Sequence, residues 1–253
     1  MVRPCVCVTG STHGIGFAIA KTFAKSGARI VINSHEADTT AARELGALTE
    51  CHFVQADLSN VEGANHFIEQ AHQRLGSLDT LVNNAGTFTD GDFGTLDAQM
   101  FDRAFDLNVK GYLFAAQAFA AKVSGDQQGA SIICIGSTNS LAAEKNSVIY
   151  DSTKGAILMM VRSLAVSLAE RGIRVNGIGP GIVETPLTQA GLDQGDTRKV
   201  LRRQIPLGRI GQPDDIGPTA VFLASEAADY ITGQMLYVDG GISAQQMSWD
   251  APG

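Results

Sequence analysis

Tyr150 and Lys154 lie four residues apart in the run Val148-Ile149-Tyr150-Asp151-Ser152-Thr153-Lys154, and Tyr150 follows Ser137 by thirteen positions. On a helix, residues i and i+4 share one face a turn apart, so the ammonium of Lys154 can sit beside the phenol of Tyr150. A free phenol, with a pKa of about 10, is a poor base at neutral pH. A neighbouring cation favours phenolate and lowers that pKa. Ser137 closes the apolar run Ser131-Ile132-Ile133-Cys134-Ile135-Gly136, which reads as a strand leading into a loop. Its hydroxyl is then offered at a strand end, where open α/β sheets bind ligands. Together the three describe an adjustable acid/base with a hydrogen-bonding helper. The spacing alone also fits a part-buried tyrosine beside a solvated lysine, so the surrounding elements have to decide.

Those elements alternate. Strand-like runs centre on Cys5, Ile30, Phe53, Leu81, Ile133, Val175 and Leu236, with helical stretches between them. That pattern predicts α/β architecture, a doubly wound parallel sheet of about seven strands flanked by helices. No linker or repeat divides the 253 residues, so 1–253 reads as one domain. The first strand runs straight into Gly10-Ser11-Thr12-His13-Gly14-Ile15-Gly16, and a helical stretch, Phe17 to Lys25, follows. A glycine-rich turn between strand and helix exposes backbone N–H groups and a helix dipole to an anion. Gly10 permits the tight turn, Gly14 close approach of a ligand, and Gly16 packing of the helix on the sheet.

Net charge is −7, which argues against nucleic-acid binding through a bulk basic surface. The one basic cluster, Arg198, Lys199, Arg202 and Arg203, reads either as a solvated helix face or as an attractor of an acidic substrate. The four cysteines lack metal or redox spacing and none of the five histidines completes a ligand set, so no metal is expected. They read as small core residues in a reducing compartment. No apolar run approaches the ~20 residues of a membrane span, and the first strand leaves no room for a signal peptide. The expectation is a cytoplasmic protein without a membrane partner.

From Thr9 to about Ser243 the chain resembles the short-chain dehydrogenase/reductase (SDR) family, a Rossmann-type fold. The resemblance rests on Thr9-Gly10 through Gly16, on Asp57, on Asn83-Asn84-Ala85-Gly86 and on Asn108. It continues through Ser137, Tyr150 and Lys154 to Pro180-Gly181-Ile182-Val183-Glu184-Thr185. It implies a catalytic tetrad of Asn108, Ser137, Tyr150 and Lys154. Tyr150 would exchange the proton, and Lys154 would lower its pKa and hold the nicotinamide ribose. Ser137 would bond the substrate oxygen, and Asn108 would fix a water. Asn108 also stands out by itself: with Gly111 it interrupts an apolar helix, and broken local rules are expected at functional sites.

The same resemblance places a nicotinamide dinucleotide against Gly10, Ser11, Thr12, His13, Gly14, Ile15 and Gly16. It adds Ser34 and His35, Asp57 and Leu58, then Asn84, Ala85 and Gly86. Tyr150, Lys154, Pro180, Gly181, Val183 and Thr185 complete the set. Ser34 is neutral where an acidic residue would select NAD, and His13 and His35 can donate to a 2′-phosphate. The balance falls to NADP, with NAD as the alternative. Substrate contacts are expected from Ser137, Asn139, Glu144 and Tyr150, with a substrate loop at about 183–210. Their polarity suggests a secondary alcohol or carbonyl on a sugar, polyol or related hydroxy compound. A 3-oxoacyl-[acyl-carrier-protein] reductase-like ketoreductase is the alternative, and a non-catalytic dinucleotide-binding protein the alternative of another class. Met159, Met160, Leu164 and Leu168 look excessive for one buried face and predict a homo-oligomer, dimer or tetramer. The role of the tail 244–253, with Trp249, is open, a reach into a neighbour's active site being one reading.

Overall fold

The computed structural model describes residues 3–89, 91–124, 127 and 129–246; the tail carrying Trp249 lies outside the described residues. Strands β1 (Cys5–Val8), β2 (Arg29–Ser34), β3 (Cys51–Gln55), β4 (Thr80–Asn83), β5 (Ser131–Ile135), β6 (Arg174–Pro180) and β7 (Met235–Val238) form one sheet. All pairs are parallel, in the order β3-β2-β1-β4-β5-β6-β7. The order reverses between β1 and β4. There the loops after the two strands diverge to opposite faces and leave a crevice at the C-terminal edge, where ligands of such sheets bind.

Period-two alternation divides the strand residues between two cores. Cys5, Cys7, Val31, Leu81, Ile132, Cys134 and Val175 face one side. There they meet Phe67 and Ile68 of α3 (Val61–Leu75), Phe119 of α5 (Gly111–Lys122), and Ile157 and Val161 of α6 (Val148–Leu168). Val6, Val8, Ile30, Ile32, Val82, Ile133 and Ile178 face the other side. They pack on α1 (Gly14–Lys25), α2 (Thr40–Gly46) and α9 (Gly217–Ala224) through Ile19, Phe23, Leu45, Ala220 and Leu223. The cysteines behave as core atoms. Burial pushes the Cys134 thiol up to about 12 and the half-buried Cys51 to about 11.

The apolar helix interrupted by Asn108 and Gly111 is α4 (Ala98–Phe105), a π-turn at Asp106–Lys110, and then α5. The π-turn inserts one residue at Asn108, where the sequence already breaks helix rules; such bulges occur mostly at functional sites. The sequence has no uninterrupted apolar run of membrane-spanning length in α6, where Asp151, Lys154 and Arg162 break the apolar residues, but one helix meets the length and average composition of a span. The helix through Val148–Arg171 is long and apolar enough by composition. It carries Tyr150 and Lys154, and Ile149, Thr153, Lys154, Ile157, Val161 and Ala165 are buried along one face. Its outer face accounts for the excess, since Met159 is 57% and Val166 80% exposed. Met160, Leu164 and Leu168, expected to be surplus, pack partly against the core.

Candidate active site

Thr9 laces the ends of β1 and β4 together. Its Oγ1 accepts from the backbone N–H of Asn84 at 2.8 Å and of Ala85 at 2.9 Å, while Asn84 Nδ2 donates to Gly10 O at 2.7 Å. This contact tolerates no side chain at Gly10, where a Cβ would lie 2.7 Å from Ala85 Cα and φ is +56°. A Cβ on Gly16 would overlap the Asn84 amide and the Gly10 carbonyl. No side chain caps the start of α1 and its first turn holds no acidic residue. Bare N–H groups, helix dipole and a cradle that a Cβ would fill fit the phosphates of a dinucleotide.

Ser11 departs from expectation. It is fully buried. Its hydroxyl donates to Val8 O at 2.6 Å and accepts from Asn33 N at 3.0 Å. It braces β1 against β2 from behind and is absent from the cleft lining, as is Gly16. Asn33, missed from sequence, is the companion brace. Its Oδ1 accepts from Gly10 N at 3.2 Å and its Nδ2 donates to Ala56 O at 3.1 Å, joining three strand ends. The available signal was an amide near the end of an otherwise apolar strand.

A cleft of about 600 Å³ follows the C-terminal edge of the sheet. Ser34, His35, Asp57 and Leu58 line one end. Thr12, His13, Gly14, Ile15 and Asn84–Gly86 line the middle. Ser137, Tyr150, Lys154, Pro180, Gly181, Val183 and Thr185 line the other end. Glu36, Ser59 and Thr87 line it too and were not anticipated, while Leu187 and Thr188 line it from within the expected substrate loop. Glu36 matters most: it puts a carboxylate beside His35, 3.8 Å from Nε2.

At the far end Lys154 is only 5% exposed; its Nζ donates to Ile135 O at 3.1 Å and lies 5.4 Å from the centre of the Tyr150 ring. Burial pushes the Lys154 ammonium down to about 8. The expectation that the lysine sets a low tyrosine pKa is corrected by the balance of forces. Burial pushes Tyr150 up to about 12, Ser137 pulls it down by hydrogen bonding, and the charges of Glu144 and Asp151 push it further up. Phe88, unanticipated, stands edge-on to Tyr150 with ring centres 4.9 Å apart.

Asn108 is fully buried. It accepts from Thr87 N at 2.8 Å and donates to Thr87 O at 2.9 Å and Thr153 Oγ1 at 3.1 Å. Both amide hydrogens are committed to tying the loop after β4 to α6, and only the carbonyl oxygen keeps a spare lone pair for the expected water. Asn139 and Glu144, expected to touch substrate, do not line the cleft. Asn139 backs Ser137, and Glu144 is tied through its backbone N–H to Asp151 Oδ2 at 3.1 Å.

The loop beyond β6 folds into α7 (Pro186–Leu192) and α8 (Thr197–Gln204). Thr185 caps α7 reciprocally with Thr188. Arg198 bridges Glu184 at 2.7 Å and Asp193 at 3.0 Å, so it is latched to the loop. Lys199, Arg202 and Arg203 remain exposed.

A crevice at a sheet's switch point, a phosphate cradle at one helix start, and a Ser–Tyr–Lys group at the cleft's end define a dinucleotide-dependent oxidoreductase. Comparison with known proteins agrees. The family described as enoyl-(acyl carrier protein) reductase matches residues 10–243. An uncharacterised oxidoreductase of Methylorubrum extorquens is 41% identical over 93% of this chain and 96% of its own. An L-rhamnose 1-dehydrogenase (NAD(P)(+)) of Azotobacter vinelandii is 33% identical over 96% of this chain and 97% of its own. The solved 3-oxoacyl-[acyl-carrier protein] reductase of Brucella melitensis, in complex with NAD, superposes with a TM-score of 0.92. It is 30% identical and the match covers 98% of this chain and all of that one. The chain belongs to the short-chain dehydrogenase/reductase family.

Proposed function

We propose that this protein is an NAD(P)-dependent oxidoreductase that interconverts a secondary alcohol and its carbonyl on a sugar, polyol or related hydroxy compound. The observation that carries the reading is the buried Lys154 one turn from Tyr150, both lining the same cleft as the phosphate cradle. A dinucleotide held along that cleft supplies the hydride transfer. The chain's residues do the rest. The N–H groups at Gly14 and Ile15 hold phosphate, and Asp57 and Leu58 flank the adenine end. Tyr150 keeps its proton at neutral pH and passes it to the substrate oxygen in reduction, taking it back in oxidation. Ser137 holds that oxygen by a hydrogen bond. Lys154, fixed by the Ile135 carbonyl, lends positive charge as the phenol loses its proton. Asn108 keeps the Thr87 loop and α6 in register.

The sugar or polyol assignment is supported by the L-rhamnose dehydrogenase relative. The ketoreductase reading keeps one supporting observation of its own. Lys199, Arg202 and Arg203 line a shallow basin of about 560 Å³ beside the loop after β6, a surface an acidic carrier could use. NADP is favoured through His35, with NAD as the alternative because Glu36 opposes a 2′-phosphate. A homo-oligomer, dimer or tetramer, assembled through the outer face of α6, and a cytoplasmic location complete the proposal.

The deciding experiment is a panel of sugars, polyols, acetoacetyl thioesters and aryl ketones with both cofactors, run on wild type and Tyr150→Phe. Tyr150→Phe should bind dinucleotide normally and lose about 10³-fold or more in kcat. Wild-type turnover in that variant would remove Tyr150 from its role.

A further inference from the structure

The hydroxyl of Ser137 is already spoken for. Its Oγ–H donates to Asn139 Oδ1 at 2.9 Å, and Oγ accepts from Asn139 N at 3.1 Å. Asn139 Nδ2 in turn donates to Asp151 Oδ1 at 2.7 Å. A carboxylate accepts and does not donate, so Asp151 dictates which end of the Asn139 amide faces it. The carbonyl end is thereby turned to Ser137, and an amide carbonyl can only accept. One lone pair on Ser137 Oγ is left for the cleft. Asp151 itself is fixed from two sides: it sits in the first turn of α6, and its Oδ2 accepts from Glu144 N at 3.1 Å.

We propose that Asp151 and Asn139 are positioning residues that set the polarity of Ser137, so that the site favours a hydroxyl ligand over a carbonyl. A substrate hydroxyl can donate to the free lone pair. A carbonyl can accept from the Tyr150 hydroxyl, but Ser137 can add a second donor only by breaking its bond to Asn139. The inference rests on the alcohol/carbonyl reading above and adds a preference between the two partners of that reaction. The cleft is tuned for a hydroxyl-rich substrate by residues that never touch it.

The test uses Asn139→Ala, Asp151→Ala and the double variant, with KM measured in both directions on an alcohol–carbonyl pair from the panel. Each variant should raise the alcohol KM and lower the carbonyl KM, each by about fivefold, the scale of one hydrogen bond. Dinucleotide KM should not move, and the double variant should match the singles because the two residues act in series. Both substrate KM values moving together, or neither moving, overturns the proposal; simple structural damage moves them together. A second measurement needs no substrate. Ultraviolet titration should place the Tyr150 phenolate, identified as the signal lost in Tyr150→Phe, at lower pH in Asn139→Ala, because the Ser137 proton, no longer drawn to Asn139, then bonds the phenolate more strongly. No shift there overturns the polarity argument. Wild-type turnover in Tyr150→Phe would instead sink the parent reading, whatever the KM pattern.

Discussion

Lys154 is a buried cation whose described hydrogen-bond partner is a carbonyl, not a carboxylate. That is a cost to folding. Its pKa falls from the ordinary 10.5 to about 8, so between those values the unfolded chain binds more protons than the folded one. From this group, stability rises as pH climbs through about 8 to 10.5, and the full penalty of about 3 kcal/mol applies below it. Lys154→Met should therefore unfold at higher urea than wild type near neutral pH while losing activity, and the gap should close toward pH ~10. Tyr150 bears on the opposite edge: its raised pKa makes stability fall as pH rises above about 10. Glu36 belongs to the same scale. It was overlooked because only the residues through His35 were weighed, yet its carboxylate lines the cleft. Glu36→Gln should raise kcat/KM for NADP relative to NAD by about tenfold, read from initial rates with each cofactor.

The π-turn at Asp106–Lys110 shows what an element adds to its residues. The sequence flagged Asn108 and Gly111 as poor helix formers, and propensity alone would have Gly111→Ala stabilise α5 by about 1 kcal/mol. The structure reverses the sign. A Cβ on Gly111 would overlap the Leu58 carbonyl oxygen, so the helix and the loop after β3 meet through that bare backbone. Gly111→Ala should cost about 2–3 kcal/mol in chemical denaturation and weaken dinucleotide binding through Leu58. Gly46, the last residue of α2, meets nothing within 4 Å. Gly46→Ala should gain up to about 1 kcal/mol in the same assay. The Glu184–Arg198 bridge was likewise invisible in the sequence, where Arg198 looked like one more member of a basic face. It is distinguished by the carboxylate that β6's exit loop brings within 2.7 Å.

At the scale of the whole molecule, α6 carries Tyr150 and Lys154 and also leaves apolar side chains uncovered. Met159 and Val166 face outward on it. Val166→Glu should dissociate the proposed oligomer, seen as a drop in sedimentation mass with little change in secondary structure. The sequence by itself determined the alternation of strands and helices, the phosphate turn and the i, i+4 pairing of Tyr150 with Lys154. These are local periodicities, written in neighbours a few residues apart. Only the tertiary structure decided that Ser11 braces β1 against β2, that Asn139 stands behind Ser137, that Asn108 grips Thr87 and Thr153, and that Tyr150 is pushed up and Lys154 down. Each of those depends on burial and on partners tens of residues away. Desolvation and long-range hydrogen bonds are sums over the packed whole, which no short window of sequence contains.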